Sequence, residues 1–237
     1  SMEIKTNNYT LSKSRTTTNT FVANVFSLMF TALIISGLSA VWFATDGMKS
    51  YVINVEGGLT TLGWVSMLSP IGLVMLIGFG FQKYSAKFLL GIFLLYSTLT
   101  GISLSTIFSI YTSSSIASTF FISSLTFGVM ALTGYTTKTD LTKWGSLLFM
   151  GVIGIVIASI INMFLGSSLM HYLISIVGVL VFTGLTAYDV QKIKNIGSQI
   201  DEGSQTAQKL MIMGALTLYL DFINLFLMML RLFGNRN

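Results

Sequence analysis

Long apolar segments separated by short polar ones make up most of the chain after residue 19. A helix needs about 20 apolar residues to cross a bilayer, where its backbone must be hydrogen-bonded internally. Division at the charges and at the polar turns 112–115 and 166–168 predicts seven spans, near residues 20–44, 59–81, 88–111, 116–135, 144–165, 169–190 and 210–232. The pattern therefore predicts an all-α membrane protein that forms a seven-transmembrane-helix bundle.

The same pattern predicts three parts of the chain: a polar, mobile N-terminal tail at 1–19, one transmembrane domain at 20–232, and a short C-terminal tail at 233–237. Ten of the thirteen Lys and Arg residues fall in the tail and loops on the side of the N-terminus. Basic loops tend to stay in the cytoplasm, so we expect a cytoplasmic N-terminus.

The composition limits the possible chemistry. Hydrophobic residues make up 53% of the chain and charged residues 9%, against about 25% charged residues in soluble domains. The absence of Cys excludes disulfides and thiolate catalysis. No Lys lies within a predicted span, which excludes a retinal Schiff base, and the single His171 excludes a two-histidine zinc motif. We expect no enzymatic activity, no cofactor and no nucleic-acid partner.

Two aspartates lie in the last two predicted spans, Asp189 near the end of the sixth and Asp221 inside the seventh. A carboxylate at membrane depth is costly unless it is protonated, paired or hydrated, so it indicates function. A turn near Gly203 would bring the two roughly level. Three polar side chains share the faces of these aspartates by helical spacing: Thr186, Thr217 and Asn224.

Two carboxylates in contact cannot both stay ionised at ordinary cost, so such a pair shares a proton and titrates as a unit. Loss of this proton near physiological pH would act as a switch, and the ionised pair, Asp189 and Asp221, would offer hard oxygen ligands to a divalent metal such as calcium. Interpretations without a coupled pair stay open. Asp189 could be an interfacial residue that caps the polar turn beside Lys192, and Asp221 could bond only to Asn224 or to a neighbouring threonine.

Two further residues have a possible role in gating. Pro70, within the second span, is expected to kink the helix by freeing the carbonyl of Ser66, and the kink is either a hinge or a fixed bend. His171 titrates in the physiological range. It lies at the outer end of the sixth span, so it is an alternative pH sensor or simply a solvated side chain.

Two stretches that contain the aspartates resemble the Bax-inhibitor family of membrane proteins: FTGLTAYDVQKIK, residues 182–194, and GALTLYLDFINLFLMMLR, residues 214–231. The resemblance covers nearly the whole chain. It implies a pH-sensitive calcium leak channel in the bacterial inner membrane, as in bacterial members. It also implies that Asp189 and Asp221 are the proton-sensing pair that joins the sixth and seventh helices.

The second span departs from this resemblance. Members of the family can have a basic residue there that pairs with the aspartates, whereas this span is uncharged and only Gln82 and Lys83 follow at its end. The latch between the second helix and the aspartates is therefore in doubt. Two alternatives to a leak also stay open. One is a regulator of a membrane protease or of a stress or cell-death partner, and the other is a proton-coupled cation transporter. The expected partners are the lipid bilayer, calcium and protons, and in the regulator alternative another membrane protein.

Overall fold

The computed structural model describes the backbone of residues 2–201 and 203–237, with side chains from Thr16 onward. Over these residues, seven helices are long and apolar enough to cross a membrane, which confirms the predicted all-α multi-pass membrane protein. They are α1 (Met2–Ala44), α2 (Thr61–Gly80), α3 (Ala86–Leu104), α4 (Ser113–Thr136), α5 (Thr142–Leu165), α6 (Ser168–Gly197) and α7 (Gln205–Phe233). A helical turn at Asp46–Lys49 and a 3-10 helix at Ser105–Ser109 complete the helical elements in this part of the chain.

The helix boundaries follow local backbone chemistry. Thr60, Ser85 and Thr112 each precede a helix and accept a hydrogen bond from the backbone N–H three residues later, which satisfies one of the free N–H groups of the first turn. Gly166, after α5, has φ +63°, and Gly203, between α6 and α7, has φ +80°. Glycine adopts these left-handed conformations without steric cost, which allows a tight turn at each position. Both turns lie where the sequence predicts them.

The first helix extends beyond the predicted start of the first span. It begins at Met2, so it includes residues 2–19 of the predicted N-terminal tail, and the mobility of that tail stays a prediction. Residues 2–19 contain neither Gly nor Pro, so nothing in this segment interrupts a helix. The apolar span begins at Thr16, and the side chains of the first fifteen residues lie outside the described part.

The helices form two compact units, and the organisation as one domain at 20–232 stays a prediction. The first unit comprises Ser1–Ile110 with Ile193–Tyr219, and the second comprises Tyr111–Lys192 with Leu220–Asn237. Both α6 and α7 therefore contribute one part to each unit, a division that no change in hydropathy marks.

In the first unit, α3 packs against both α1 and α2. Its core contains the fully buried side chains Val25, Met29, Ile77, Leu89 and Phe93. Gly101 lies against the backbone carbonyl of Ser36, at a crossing where an added Cβ would overlap that oxygen. Small residues allow this close approach of helices in membranes.

In the second unit, α4, α5, the larger part of α6 and the end of α7 pack together. Edge-to-face contacts join Phe120 and Phe127 of α4 to Phe222 of α7. Gly178 of α6 lies against Met228 of α7. Large apolar side chains such as Phe149 and Ile157 of α5 are exposed, as lipid-facing residues of a membrane helix should be.

Candidate functional site: a buried carboxyl pair in the second unit

The two predicted aspartates lie together in the second unit. Asp189 of α6 is 7% exposed and Asp221 of α7 is 4% exposed, and their carboxyl groups are within hydrogen-bonding reach of each other. Two carboxylates are both acceptors, so a hydrogen bond between them requires a proton on one of them. The geometry thus allows one proton to be held between α6 and α7.

One oxygen of this pair lacks a partner. Oδ2 of Asp221 is buried and accepts no hydrogen bond from the residues that the structure describes. Leaving such an oxygen unpaired in the interior costs about 1–3 kcal/mol, and more if it is charged. This oxygen is therefore available to accept a hydrogen bond from a proton donor or a water molecule, or to contact a cation.

The pair does not form a complete metal site by itself. Within the described residues, no group of three or more His, Cys, Asp and Glu side chains could hold a metal ion. Calcium takes about six to eight oxygen ligands, so Asp189 and Asp221 could supply only part of its coordination. The predicted calcium contact at Asp189 and Asp221 therefore stays a prediction.

Close helix packing fixes the backbone of α6 beside Asp189. Gly134 of α4 lies against the carbonyl of Ala187, and Gly145 of α5 lies against the ring of Tyr188. At either glycine an added Cβ would overlap the neighbouring group. The two residues that precede Asp189 are therefore each in close contact with a neighbouring helix.

A third contact near Asp189 involves Gln191, which sequence reasoning missed. Its amide oxygen accepts a hydrogen bond from the N–H of Leu141 at 2.8 Å, and its amide nitrogen donates to the carbonyl of Thr139 at 2.8 Å. These bonds join α6 to the loop between α4 and α5. A single polar residue near the end of a span gives no signal in the sequence that would distinguish this role from ordinary solvation.

Comparison with known proteins identifies the family. A family model described as inhibitor of apoptosis-promoting Bax1 matches residues 18–237. The chain belongs to the Bax inhibitor family. It is 45% identical over 218 residues to inner membrane protein YbhL of Escherichia coli strain K12, with 92% of each chain covered. It is also 45% identical over 218 residues to a protein of Borreliella burgdorferi, covering 92% of this chain and 93% of the relative.

A third relative extends the comparison. Protein RP147 of Rickettsia prowazekii is 42% identical over 217 residues, covering 91% of this chain and 89% of that protein. These matches confirm the family resemblance that the two aspartate-containing stretches indicated. The role of the pair in this Bax-inhibitor-family protein stays a prediction.

The three predicted supporting positions bond to their own helices. The side chains of Thr186, Thr217 and Asn224 each donate a hydrogen bond to the backbone carbonyl four residues earlier. Thr186 and Asn224 lie in the same unit as the carboxyl pair, and Thr217 belongs to the first unit. These bonds satisfy polar groups within the helix, so any support that they give to the aspartates is indirect.

The remaining predicted positions lie elsewhere. Pro70 is inside α2, which continues as one helix from Thr61 to Gly80, and its role as a hinge stays a prediction. Lys192 is exposed, with its Nζ 5.9 Å from the ring centroid of Tyr188. His171 lies in the first turn of α6, eighteen residues before Asp189, or about 27 Å along an ideal helix.

The first unit of this family member contains a polar cluster that sequence reasoning also missed. The hydroxyl oxygens of Ser36 and Tyr219 are 2.6 Å apart, and Ser36 also lies 2.7 Å from the carbonyl of Ser97. Since Ser36 has only one proton to donate, the consistent assignment is Tyr219 to Ser36 and Ser36 to a carbonyl. The ring of Tyr96 packs edge-to-face on that of Tyr219 at 5.5 Å.

Proposed function

We propose that this protein is a pH-sensitive calcium leak channel, gated by a proton shared between Asp189 and Asp221. The observation that supports this proposal is the buried contact between the two carboxyl groups across α6 and α7. Membership of the Bax inhibitor family agrees with it. The proposal involves passive movement of an ion, with no enzymatic reaction and no cofactor.

The gating follows from the charge on the pair. While one proton is shared, a charge-assisted hydrogen bond, roughly twice as strong as a neutral one, joins α6 to α7. When the proton leaves, two like charges at close range must separate, hydrate or bind a cation. Each response changes the packing of the two helices. Because the bundle has two states of similar free energy in this scheme, one proton is enough to shift their populations.

The proposed location is the bacterial inner membrane, which is where the name of the Escherichia coli relative places that protein. The proposed partners are lipids, protons and calcium as the transported ion. The unpartnered Oδ2 of Asp221 supports contact with calcium, because it is a hard oxygen ligand inside the protein.

Calcium entry into liposomes that contain the purified protein and a calcium dye tests the proposal from about pH 5 to about pH 8. We expect wild type to pass calcium down its gradient with a marked dependence on pH. Asp189→Asn and Asp221→Asn should each remove this dependence, since either change removes the shared-proton unit. The double variant should resemble the single ones, because the same unit is lost.

Asp140→Asn is the matched control, because it also removes one carboxylate from the second unit. Asp140 is exposed in the loop between α4 and α5, and hydrogen bonds from the Thr142 side chain and backbone lower its pKa. A lowered pKa keeps this carboxyl ionised throughout the tested range. The control should therefore keep the wild-type pH profile.

The same measurement separates the alternatives. If the aspartate variants keep the wild-type pH profile, the sensor lies elsewhere and His171 is the next candidate. If wild type passes no calcium at any pH, a regulator of a membrane protease or of another membrane partner becomes the better interpretation. Uphill movement driven by a proton gradient would instead indicate a transporter.

A further inference from the structure

A cavity with basic side chains lies at the end of the second unit, away from the carboxyl pair. It has a volume of about 620 Å³ and opens where α5 ends, α6 begins and α7 ends. Its lining includes His171, Arg231 and Arg236, and none of its lining residues is Asp or Glu. The cavity is large enough for a small ligand or a lipid headgroup.

The polar lining favours an anion. The two guanidinium groups offer several N–H donors each, in a planar arrangement that matches phosphate oxygens. The lining also contains Ser159 and the buried Asn162, whose Oδ1 accepts a hydrogen bond from the N–H of Ser167 at 3.0 Å. With cations and hydroxyls but no carboxylate, the cavity is complementary to a phosphate group.

Arg236 is held in place by the segment that follows α7. The N–H of Thr112 donates to the carbonyl of Asn235 at 3.1 Å, and the N–H of Asn235 donates to Oγ of Ser115 at 2.8 Å. The Arg236 guanidinium lies 6.0 Å from the ring centroid of Tyr111. These contacts attach the segment to the start of α4, so Arg236 is a positioned part of the cavity.

Apolar side chains border this cavity on the lipid-facing surface. Met163 and Phe164 at the end of α5 are 75% and 81% exposed, and Leu169 and Tyr172 at the start of α6 are also exposed. The cations of the cavity match the charged headgroup of a phospholipid, and the exposed apolar surface beside them matches its acyl chains. A free phosphate ion would make no use of the apolar part.

We propose that this cavity binds the phosphate headgroup of an anionic phospholipid, with the acyl chains on the exposed apolar residues of α5 and α6. Arg231 and Arg236 hold the phosphate, and His171 borders it. Lipid retention at this site needs no calcium flux, so the proposal stands or falls separately from the leak function.

Native mass spectrometry of the full chain in detergent, titrated with phosphatidylglycerol or with phosphatidylcholine, tests the proposal. We expect wild type to retain phosphatidylglycerol preferentially. The double variant Arg231→Gln with Arg236→Gln should lose affinity for phosphatidylglycerol by about tenfold or more, because both phosphate donors are removed. Binding of phosphatidylcholine should change much less.

The control is Lys138→Gln with Lys143→Gln, which removes two exposed positive charges from the same unit, near the other end of α5. If this control loses as much affinity as the arginine variant, general charge attraction explains the binding and the proposal is wrong. Displacement of the lipid by inorganic phosphate at a comparable concentration would also overturn it, in favour of a free-anion site.

Two single variants keep the test valid if the double variant does not fold. Arg236→Gln leaves the backbone hydrogen bonds of the last segment in place, so it should fold and lose part of the affinity. Arg231→Lys keeps the charge but removes the planar donor pair, and we expect an intermediate loss. Wild-type affinity in both variants would refute the assignment of the arginines.

Discussion

Two residues of α7, Tyr219 and Asp221, each belong to a buried polar cluster. The two clusters differ in how their polar groups are satisfied inside the protein. In the first unit, Tyr219 and Ser36 form a neutral hydroxyl cluster that is hydrogen-bonded to a backbone carbonyl. In the second unit, Asp221 and Asp189 form an ionisable pair, and one oxygen of Asp221 has no partner among the described residues.

The two clusters differ in how they respond to pH. A satisfied neutral cluster has the same hydrogen bonds at every physiological pH, so it contributes stability and a fixed helix position. An ionisable pair with an unpaired oxygen changes its charge with pH and can gain a ligand. Each cluster also lies beside a close glycine contact, Gly101 on Ser36 and Gly134 on Ala187, so rigid packing by itself does not distinguish them.

The largest expected effect comes from those two glycines. Gly101→Ala and Gly134→Ala should each lower the stability of the protein by about 1–3 kcal/mol, because the new methyl group overlaps a backbone carbonyl and forces the helices apart. Thermal unfolding of the purified variants in detergent measures this loss. Only Gly134→Ala should also alter the pH profile of calcium entry, since it alone displaces α6 beside Asp189.

Gly91→Ala and Gly128→Ala are the controls for this comparison. They lie on the same helices, α3 and α4, and an added Cβ at either meets nothing within 4 Å. These variants should be as stable as wild type or up to about 1 kcal/mol more stable, since Ala favours a helix more than Gly does. A loss equal to that of the buried glycines would contradict the role of close packing.

One substitution in each cluster should affect a different property of the protein. Tyr219→Phe should lower stability by about 0.5–1.5 kcal/mol through loss of one hydrogen bond. It should leave the pH profile of calcium entry unchanged. Asp221→Asn should remove the pH dependence in the same liposome assay. If Tyr219→Phe also removes the pH dependence, the two clusters act as one unit and the comparison fails.

The smallest expected effect concerns Lys209, near the start of α7. Its Nζ donates a hydrogen bond to the carbonyl of Phe81 at 2.9 Å, after the end of α2. Lys209→Met keeps an unbranched side chain one atom shorter than lysine, and it should lower the stability by about 1 kcal/mol in thermal unfolding, because the lost bond is partly exposed. Lys87→Met, at an exposed lysine in the same unit, should have no measurable effect.

The sequence by itself determined the number and approximate limits of the spans. Lipid excludes charges and unpaired backbone groups, so hydropathy, charges and polar turns mark the helices almost directly. The largest difference is at α1, which begins at Met2 because nothing in residues 2–19 breaks a helix. The two aspartates were also visible, because a carboxylate in an apolar run is costly enough to stand out.

The tertiary structure decided which polar groups meet. The predicted turn near Gly203 placed Asp189 and Asp221 at similar depth, but their contact depends on how α6 and α7 rotate and pack. The hydroxyl cluster of Ser36 and Tyr219 joins residues 183 positions apart. Asn235, the residue before Arg236, is hydrogen-bonded to the start of α4. Serine, tyrosine and terminal arginine residues are common in membrane proteins, so no local pattern reveals such contacts before the helices are packed.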